Sequence, residues 1–327
     1  MTRRLVVDAR YRGEHGIARY AREVISRLSM EWESLPGKYR PGSPLDTVAA
    51  GRLRLPRDVL LYNPGYTAGL TQCIQLTTVH DLTHLRISDG RASQLNRLYY
   101  QYVVRPAIRK TGHVLTVSPT SADELRDWLA DDDVVVHDAG NGCSQIFRQE
   151  GEPARLGRPY FLFVGGFKAH KNPRPFFEAM RRFPDHLIVV VSSEASSAIR
   201  LASEAGVLPR LEVRTNVSDE HLRSLYLGAE ALVFPSIWEG FGLPVVEALT
   251  TGAKVVYCSG ALSVAEICKG TQYPVEDPSS TDEFIAAMEL AIQTPFQAPL
   301  GLEEYRWESV AARVNEVLSC CLGGDSV

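Results

Sequence analysis

One short stretch constrains this chain more than any other, because residues 231–252 read as a buried strand, a glycine-containing loop and a helix in immediate succession. Ala231–Phe234 is an apolar run suited to a strand, and Pro235 ends it. Pro244 suits the first turn of a helix that Gly252 would end. In a parallel α/β sheet the loop of such a unit lies at the carboxyl edge, where ligands bind.

Two carboxylates fall within this unit, Glu239 on the loop and Glu247 one turn into the helix. Gly240 and Gly242 leave backbone amides accessible between them, and amides at a helix amino terminus suit a phosphate. The carboxylates are then available to hydroxyl groups or to developing positive charge. A structural alternative is that Glu247 complements the helix dipole and Glu239 is a solvated loop residue. In either case we expect both side chains to lie outside a core.

The segment Glu239–Glu247 resembles the Glu-x7-Glu signature of retaining GT-B glycosyltransferases of family 4, the glycosyl transferases group 1, with bacterial surface-polysaccharide mannosyltransferases as its nearest type. The resemblance implies that Glu239 lies near the transferred sugar and that Glu247 binds the nucleotide ribose. It also implies that the amides of Phe241, Gly242 and Leu243 hold sugar hydroxyls and diphosphate.

Chain length and composition set the outer bounds. A chain of 327 residues can form two domains with separate cores. No run is long and apolar enough to span a membrane, and charges close to Met1 argue against a secretory signal, so we expect a cytoplasmic protein. The six cysteines lack zinc-type spacing, and we assign them no role.

Charge is unevenly distributed between the two halves. Residues 1–152 contain 20 Lys+Arg against 18 Asp+Glu, and the remainder contains 15 against 21. A basic first half predicts an anionic partner for that half, and we expect weak association with the inner face of an anionic membrane. No nucleic-acid-binding module is present, so we expect no nucleic-acid partner.

The first half carries three candidate site residues, each with a structural alternative. Gly16 opens a helix after the first strand and resembles the family's amino-terminal loop, where a glycine lets the loop approach the donor. His80 ends a strand, where a histidine is commonly a polar cap. In the family segment that Thr78–Leu82 resembles, the histidine touches the transferred sugar. Ser118 starts a capping-box helix, and the family has a serine at this strand end.

Two other tracts of the first half stand out. Residues 31–57 contain several prolines and little periodicity, which predicts an abbreviated second strand and helix. Gln94–Lys110 predicts a long helix in which tyrosines and arginines alternate. These side chains could line an acceptor groove or contact anionic lipid, or the helix could be partly buried with snorkelling arginines.

The second half opens with another strand, glycine loop and helix over residues 160–180. Amides near Gly166, together with Lys171, could neutralise a departing diphosphate, although an ordinary lysine-rich turn is the alternative. Lys171 and Asn172 resemble the family's phosphate-binding Arg-Lys-Asn turn, with His170 in place of the arginine. Either His170 donates a hydrogen bond there or Lys168 supplies the charge. Further along, Val217 lies in a segment that resembles the family's base-reading backbone.

We therefore expect an α/β protein of the GT-B class, with two Rossmann-like domains facing each other across a cleft. Residues 1–152 would form the acceptor-side domain and residues 153–304 the donor domain, with a helix over 305–320 packing back on the first. The catalytic residues would be Glu239, His80 and Lys171.

The resemblance implies metal-independent, cofactor-free transfer of a hexose, with retention, from a nucleoside-diphosphate sugar to a hydroxyl of a glycan or lipid-linked acceptor. GDP-mannose is the first donor to test. Two alternatives are a GT-B epimerase or phosphorylase, and a non-catalytic subunit that binds nucleotide sugars.

Overall fold

The computed structural model describes residues 3–13, 16–86 and 91–323, which form two compact units. The first unit comprises Met1–Gly142 and Glu304–Val327, and the second comprises Cys143–Glu303. The boundary expected at residue 152 therefore lies within the second unit. The reason is local packing, because the Phe147 ring meets the Tyr226 ring and the amide of Ala154 donates to the carbonyl of Ser224.

The first unit is built on short parallel strands. These are β1 (Arg4–Val7), β2 (Glu33–Ser34), β3 (Val59–Asn63), β4 (Ile74–Thr77), β5 (His113–Thr116) and β6 (Val135–Asp138). Four of them form a sheet in the order β2-β1-β3-β4, and β5 pairs with β6. A parallel bridge between Thr78 and Leu115 connects β4 to β5, so β5 and β6 continue the strand order of the four-stranded sheet.

Helices connect these strands. They are α1 (Gly16–Ile25), α2 (Pro44–Thr47), α3 (Ala50–Leu53), α4 (Thr83–Arg86), α5 (Arg91–Tyr99), α6 (Arg105–Thr111) and α7 (Pro119–Leu129). The tract over residues 31–57 holds the two-residue strand β2 and the one-turn helices α2 and α3, in agreement with the predicted abbreviation.

The long helix predicted over Gln94–Lys110 is present but changes its hydrogen-bond pattern. Between α5 and α6 the chain forms a π-helical segment, Tyr100–Val104. Pro106 lies in the first turn of α6, and because proline has no amide hydrogen the regular ladder cannot continue through it. The π-helical segment is thus a local change of hydrogen-bond pattern that accommodates Pro106.

The arginines of this helix are held by the protein. Arg97 donates to the carbonyl of Leu85 at 3.1 Å, and Arg109 forms an ion pair with Asp131 at 2.6 Å. Arg105 donates to the carbonyl of Leu129. These contacts favour the structural interpretation of the arginines.

The second unit is a six-stranded parallel sheet. Its strands are β7 (Tyr160–Val164), β8 (Leu187–Val191), β9 (Leu211–Arg214), β10 (Ala231–Phe234), β11 (Val255–Cys258) and β12 (Tyr273–Val275). Their order is β12-β11-β10-β7-β8-β9. Along the chain, β8 and β9 are therefore added on one side of β7, and β10, β11 and β12 are then added on the other side. The crevice between β7 and β10, where the direction reverses, is where open α/β sheets bind ligands.

Six helices flank this sheet, and one more follows it. They are α8 (Arg174–Ala179), α9 (Ala195–Glu204), α10 (Asp219–Gly228), α11 (Leu243–Thr251), α12 (Leu262–Cys268), α13 (Thr281–Gln293) and α14 (Trp307–Gly323). The last, α14, belongs to the first unit, where the Trp307 ring lies 6.1 Å from the Tyr20 ring of α1. The described helices include none with the length and apolar character needed to cross a bilayer.

A buried charge network lies under the carboxyl ends of β1 and β3. Arg52 is 1% exposed and donates to Asn63 at 2.9 Å, to Asp8 at 2.9 Å and to Asp46 at 3.1 Å. Arg10 completes the network with bonds of 2.7 Å to both aspartates. Burial opposes the charge of Arg10, but its hydrogen bonds outweigh burial and hold its pKa above the ordinary value. Two guanidinium groups thus neutralise two carboxylates.

We predict that Arg52→Met destabilises the first unit strongly. Removing one member of a buried, hydrogen-bonded ion network leaves the aspartates undercompensated and costs about 3–5 kcal/mol of unfolding free energy. Arg4→Met is the control, because its ion pairs with Glu33 and Asp58 are exposed and such pairs contribute about 0–1 kcal/mol. Urea denaturation of both variants measures the difference, and equal stability of the two would contradict the role given to Arg52.

Candidate active site

The loop that follows β10 has the predicted strand, loop and helix arrangement. Gly242 precedes α11 with φ +116°, in the left-handed region. A Cβ at this position would lie 3.2 Å from the Cγ2 of Val264, so both backbone and space favour glycine. Pro244 lies in the first turn of α11. The amides of the α11 amino end, including that of Leu243, are thereby directed at the carboxyl edge of the sheet.

The loop that follows β7 lies beside it. A single 3₁₀ turn, Ala169–Lys171, ends at Asn172, which has φ +46° and donates to the carbonyl of Pro278 at 2.7 Å. The amide of Ile237 donates to the carbonyl of His170 at 2.9 Å. This backbone bond fixes the β7 and β10 loops to each other.

Lys171 and Glu239 meet at this junction. The Nζ of Lys171 lies 2.5 Å from the Oε1 of Glu239, with side-chain exposures of 22% and 13%. The same ammonium lies 5.6 Å from the centre of the Phe234 ring, within cation–π range. Ser263 holds the loop by donating to the carbonyl of Glu239 at 2.8 Å. The structure thus brings the two central predicted residues into direct contact at the switch point of the sheet.

Glu247 is placed differently from our expectation that both glutamates lie outside a core. Its side chain is buried, at 5% exposure, and the hydroxyl of Tyr226 donates to its Oε2 at 3.2 Å. Glu247 is buried because it lies on the face of α11 that packs against α10, the helix that carries Tyr226. An apolar residue in place of Glu247 would leave the Tyr226 hydroxyl without this acceptor. Glu239 is more accessible than Glu247, with a side-chain exposure of 13%. A substitution at Glu247 must therefore preserve shape.

The remaining loop residues have distinct environments. A Cβ at Gly166 would lie 2.7 Å from the Oε1 of Glu194, and the same oxygen accepts from the amide of Phe167 at 3.2 Å. Lys168 is exposed, and His170 is half-buried. The structure therefore leaves both as candidates for a phosphate contact.

Three contributors were not identified from the sequence. Glu194 follows β8, next to β7, and an acidic residue after a strand was its only signal. Tyr226 and Ser263 carry no local signal, because their contacts to Glu247 and to the Glu239 backbone arise from packing of α10 and α12. Val217 lies between β9 and α10, two strands from β7 at the same edge of the sheet.

Two of the predicted residues of the first unit, His80 and Ser118, are linked through Ser121. His80 is 9% exposed, and its Nε2 lies 3.0 Å from the carbonyl oxygen of Pro64, so this nitrogen carries the proton. Its ring meets the Tyr20 ring edge-on at 4.8 Å. Ser118 caps α7 by accepting from the amide of Ser121, whose hydroxyl donates to the carbonyl of His80.

Gly16 is the exposed first residue of α1, and residues 14 and 15 of the preceding loop lie outside the described residues. Within the described chain, no group of three or more His, Cys, Asp or Glu side chains is arranged to hold a metal ion.

Comparisons with known proteins identify the family. Residues 145–307 match the model of the glycosyl transferases group 1. The MMP alpha-(1->4)-mannosyltransferase of Mycolicibacterium hassiacum is 32% identical over 293 residues, which cover 81% of this chain and 71% of that protein. The O-antigen chain mannosyltransferase RfbU of Salmonella typhimurium is 30% identical over 189 residues. That match covers 56% of this chain and only about half, 51%, of RfbU.

The fold comparison agrees with the sequence comparison. The sucrose-phosphate synthase of Thermosynechococcus elongatus superposes with a TM-score of 0.74 over 99% of this chain and 100% of that chain, at 17% identity. At this identity the similarity concerns the fold, and that fold is GT-B. The expectations of family and fold class are thus confirmed. The chain belongs to the group 1 glycosyltransferases, and it is a glycosyltransferase of the GT-B fold.

Proposed function

We propose that the enzyme transfers a hexose from a nucleoside-diphosphate sugar to a hydroxyl group of a glycan or lipid-linked acceptor, with retention of anomeric configuration. The contact between Lys171 and Glu239 is the observation that carries this proposal. It places one cation and one carboxylate at the switch point of the donor-side sheet, beside the amides of the α11 amino end.

The charges of the site suit the two ends of the bond that breaks. As the bond between the sugar C1 and the diphosphate oxygen breaks, negative charge grows on the diphosphate and positive charge on the sugar. Lys171 and the amides stabilise the diphosphate, and Glu239 stabilises the sugar. The acceptor oxygen bonds to C1 on the same face, and its proton passes to the departing phosphate oxygen. Lys171 has three N–H donors, so it can bind phosphate while retaining its bond to Glu239.

The donor is proposed to be GDP-mannose. Support comes from the relatives, since RfbU and the Mycolicibacterium hassiacum protein are both named as mannosyltransferases. Glu247 would bind the ribose, the backbone at Val217 the base, and His80 the sugar. Thermal shift against a panel of nucleotide sugars tests this directly, because a ligand at a hundred times its Kd adds about 2.7 kcal/mol of stability. A larger shift with another nucleotide sugar would reassign the donor.

We predict different kinetic effects for the two glutamates. Glu239→Gln should lower kcat about a hundredfold or more while donor KM changes little, because the charge that it stabilises develops only during transfer. Glu247→Gln should mainly raise donor KM, because ribose binding contributes equally before and during transfer. Glu247→Gln also keeps the shape of a buried side chain.

Steady-state kinetics of the purified variants distinguish these roles. Glu289→Gln is the matched control, since this half-exposed glutamate forms a surface ion pair with Arg182 and lies outside the candidate site. A Glu239→Gln enzyme with nearly normal kcat and weak donor binding would refute the catalytic assignment.

A second prediction concerns metal ions. Lys171 and the α11 amides supply the positive potential that the leaving diphosphate needs, so transfer should continue at an unchanged rate in excess EDTA. Radiolabelled transfer before and after chelation measures this. Loss of activity that Mg²⁺ or Mn²⁺ restores would show that this account of the leaving group is wrong.

The third prediction concerns weak association of the first unit with anionic membranes. Leu95, Leu98 and Tyr102 on α5 and the π-helical segment are 66%, 52% and 70% exposed. Apolar side chains beside a cation are typical of interfacial helices, and Arg97 keeps its positive charge because the partner of its hydrogen bond is a backbone carbonyl. Leu95→Gln/Leu98→Gln should therefore reduce co-sedimentation with anionic vesicles, whereas Leu300→Gln, at an 84% exposed position in the second unit, should not. Equal binding of all three proteins would contradict it.

A further inference from the structure

A cavity lies wholly within the first unit, at the carboxyl ends of β2, β1 and β3. Its volume is about 720 Å³, within the range of small-molecule sites. Three loops line it, contributing Arg10–Arg12 after β1, Lys38–Arg40 after β2 and Tyr66 after β3. We call this cavity the basic pocket. Its place at the sheet edge matches the general location of ligand sites in parallel α/β sheets.

The lining carries the same short pattern twice. Arg10-Tyr11-Arg12 follows β1, and Lys38-Tyr39-Arg40 follows β2, so each loop presents a tyrosine between two basic residues. The two triplets are distant in the sequence, with residues 13–37 between them, and the pairing of β1 with β2 brings them together. Cations and aromatic rings therefore face one cavity from two sides.

One of the four cations is structural. Arg10 is neutralised by Asp8 and Asp46, and its Nη1 also donates to the carbonyl of Tyr39 at 3.0 Å. A Cβ at Gly37 would lie 2.7 Å from that Nη1, so the loop can approach this closely because the residue is glycine. Arg10 is a positioning residue that fixes the second triplet against the first.

The other three cations remain available. Arg12, Lys38 and Arg40 are exposed, and within residues 3–13, 16–86 and 91–323 none of them has a carboxylate at ion-pair distance. The nearby acids Asp8 and Asp46 are already shared between Arg10 and Arg52. The pocket mouth therefore carries three positive charges in a protein whose net charge is −4.

The two tyrosines of the triplets add aromatic surface to the pocket beside the cations. Tyr11 is fixed by a hydrogen bond of 2.7 Å between its hydroxyl and that of Thr67, and Tyr39 is 46% exposed. Aromatic faces pack on the apolar faces of rings and offer a hydroxyl at their edge. Arginine and lysine bind phosphate and carboxylate through charge-assisted hydrogen bonds. The combination suits a saccharide that carries an acidic group.

We infer that the basic pocket binds an anionic saccharide, with a phosphate or carboxylate held by Arg12, Lys38 and Arg40, and that this saccharide is part of the acceptor. The second clause rests on the proposed function, and the first does not. A nucleic acid is disfavoured because three cations within one cavity do not make an extended phosphate-binding surface.

The test compares glucose 6-phosphate with glucose by calorimetry on the full chain, with GDP present in excess to occupy the donor site. Glucose 6-phosphate should bind about tenfold or more tightly than glucose, and added salt should weaken it. Lys38→Gln/Arg40→Gln should remove this preference. Arg54→Gln/Arg57→Gln is the matched control, because it removes two exposed cations of the same unit that do not line the pocket, and it should retain the preference.

Three outcomes would overturn the inference. Equal binding of the two sugars by the wild type is one, and an equal loss in the control is another. The third is loss of glucose 6-phosphate binding on addition of GDP, which would assign the cations to the donor. Phosphatidylcholine vesicles with and without phosphatidic acid distinguish a lipid phosphate from a saccharide phosphate. Lys38-dependent binding to the acidic vesicles alone would assign the pocket to a lipid phosphate instead of a saccharide.

The same proteins separate this inference from the proposed function. If no nucleotide sugar binds or is hydrolysed, the proposed function fails, and with it the assignment of the saccharide as acceptor. The anion site itself is judged only by the glucose 6-phosphate result. If donors are hydrolysed, phosphorylated acceptors should have a KM that Lys38→Gln/Arg40→Gln raises about tenfold, with kcat little changed.

Discussion

The parallel pairing of β7 with β10 is the constraint on which the candidate active site depends. Residues far apart in the chain, Lys171 and Glu239, follow these two strands, and only adjacency of the strands places their loops side by side. The backbone bond from Ile237 to His170 then fixes the loops at one separation. Apolar burial on both faces of the sheet makes that adjacency rigid, with Phe161 and Val233 on one face and Leu162 and Leu232 on the other. The site is therefore a consequence of core packing and strand order.

Much of this arrangement could be predicted from the sequence. The β10 strand, its loop and α11 follow from an apolar run, Pro244 and Gly252, all of which act locally. The contact between Lys171 and Glu239 could not be predicted, because strand order is set by the whole sheet. Burial of Glu247 was missed because its partner, Tyr226, lies on another helix. The boundary near residue 152 was misplaced because the polarity of a linker does not reveal which unit it packs against.

The two units carry charged side chains at the same place in their sheets but differ in the balance of those charges. In each, charged side chains collect at the carboxyl edge of a parallel sheet, yet the second unit pairs one cation with one carboxylate and the first leaves several cations in excess. The difference arises beneath the surface. Asp8 and Asp46 pair with Arg10 and Arg52, and among the described residues no carboxylate lies at ion-pair distance from Arg12, Lys38 or Arg40. The buried network of Arg10, Arg52, Asp8 and Asp46 is neutral in itself. Because it engages both aspartates, the surface above it keeps the positive charge of its lysine and arginines.

The ion pair between Lys171 and Glu239 has a consequence for anion selectivity. If Lys171 binds the donor diphosphate as proposed, the carboxylate of Glu239 would compete with every anion for the N–H donors of the lysine. A singly charged ion from the medium gains little by replacing it, whereas a diphosphate brings enough charge to share the lysine with it. Each departure of the spent nucleotide would in turn be assisted by the carboxylate reclaiming its partner. The same contact that assembles the site would therefore also filter small anions and hasten turnover.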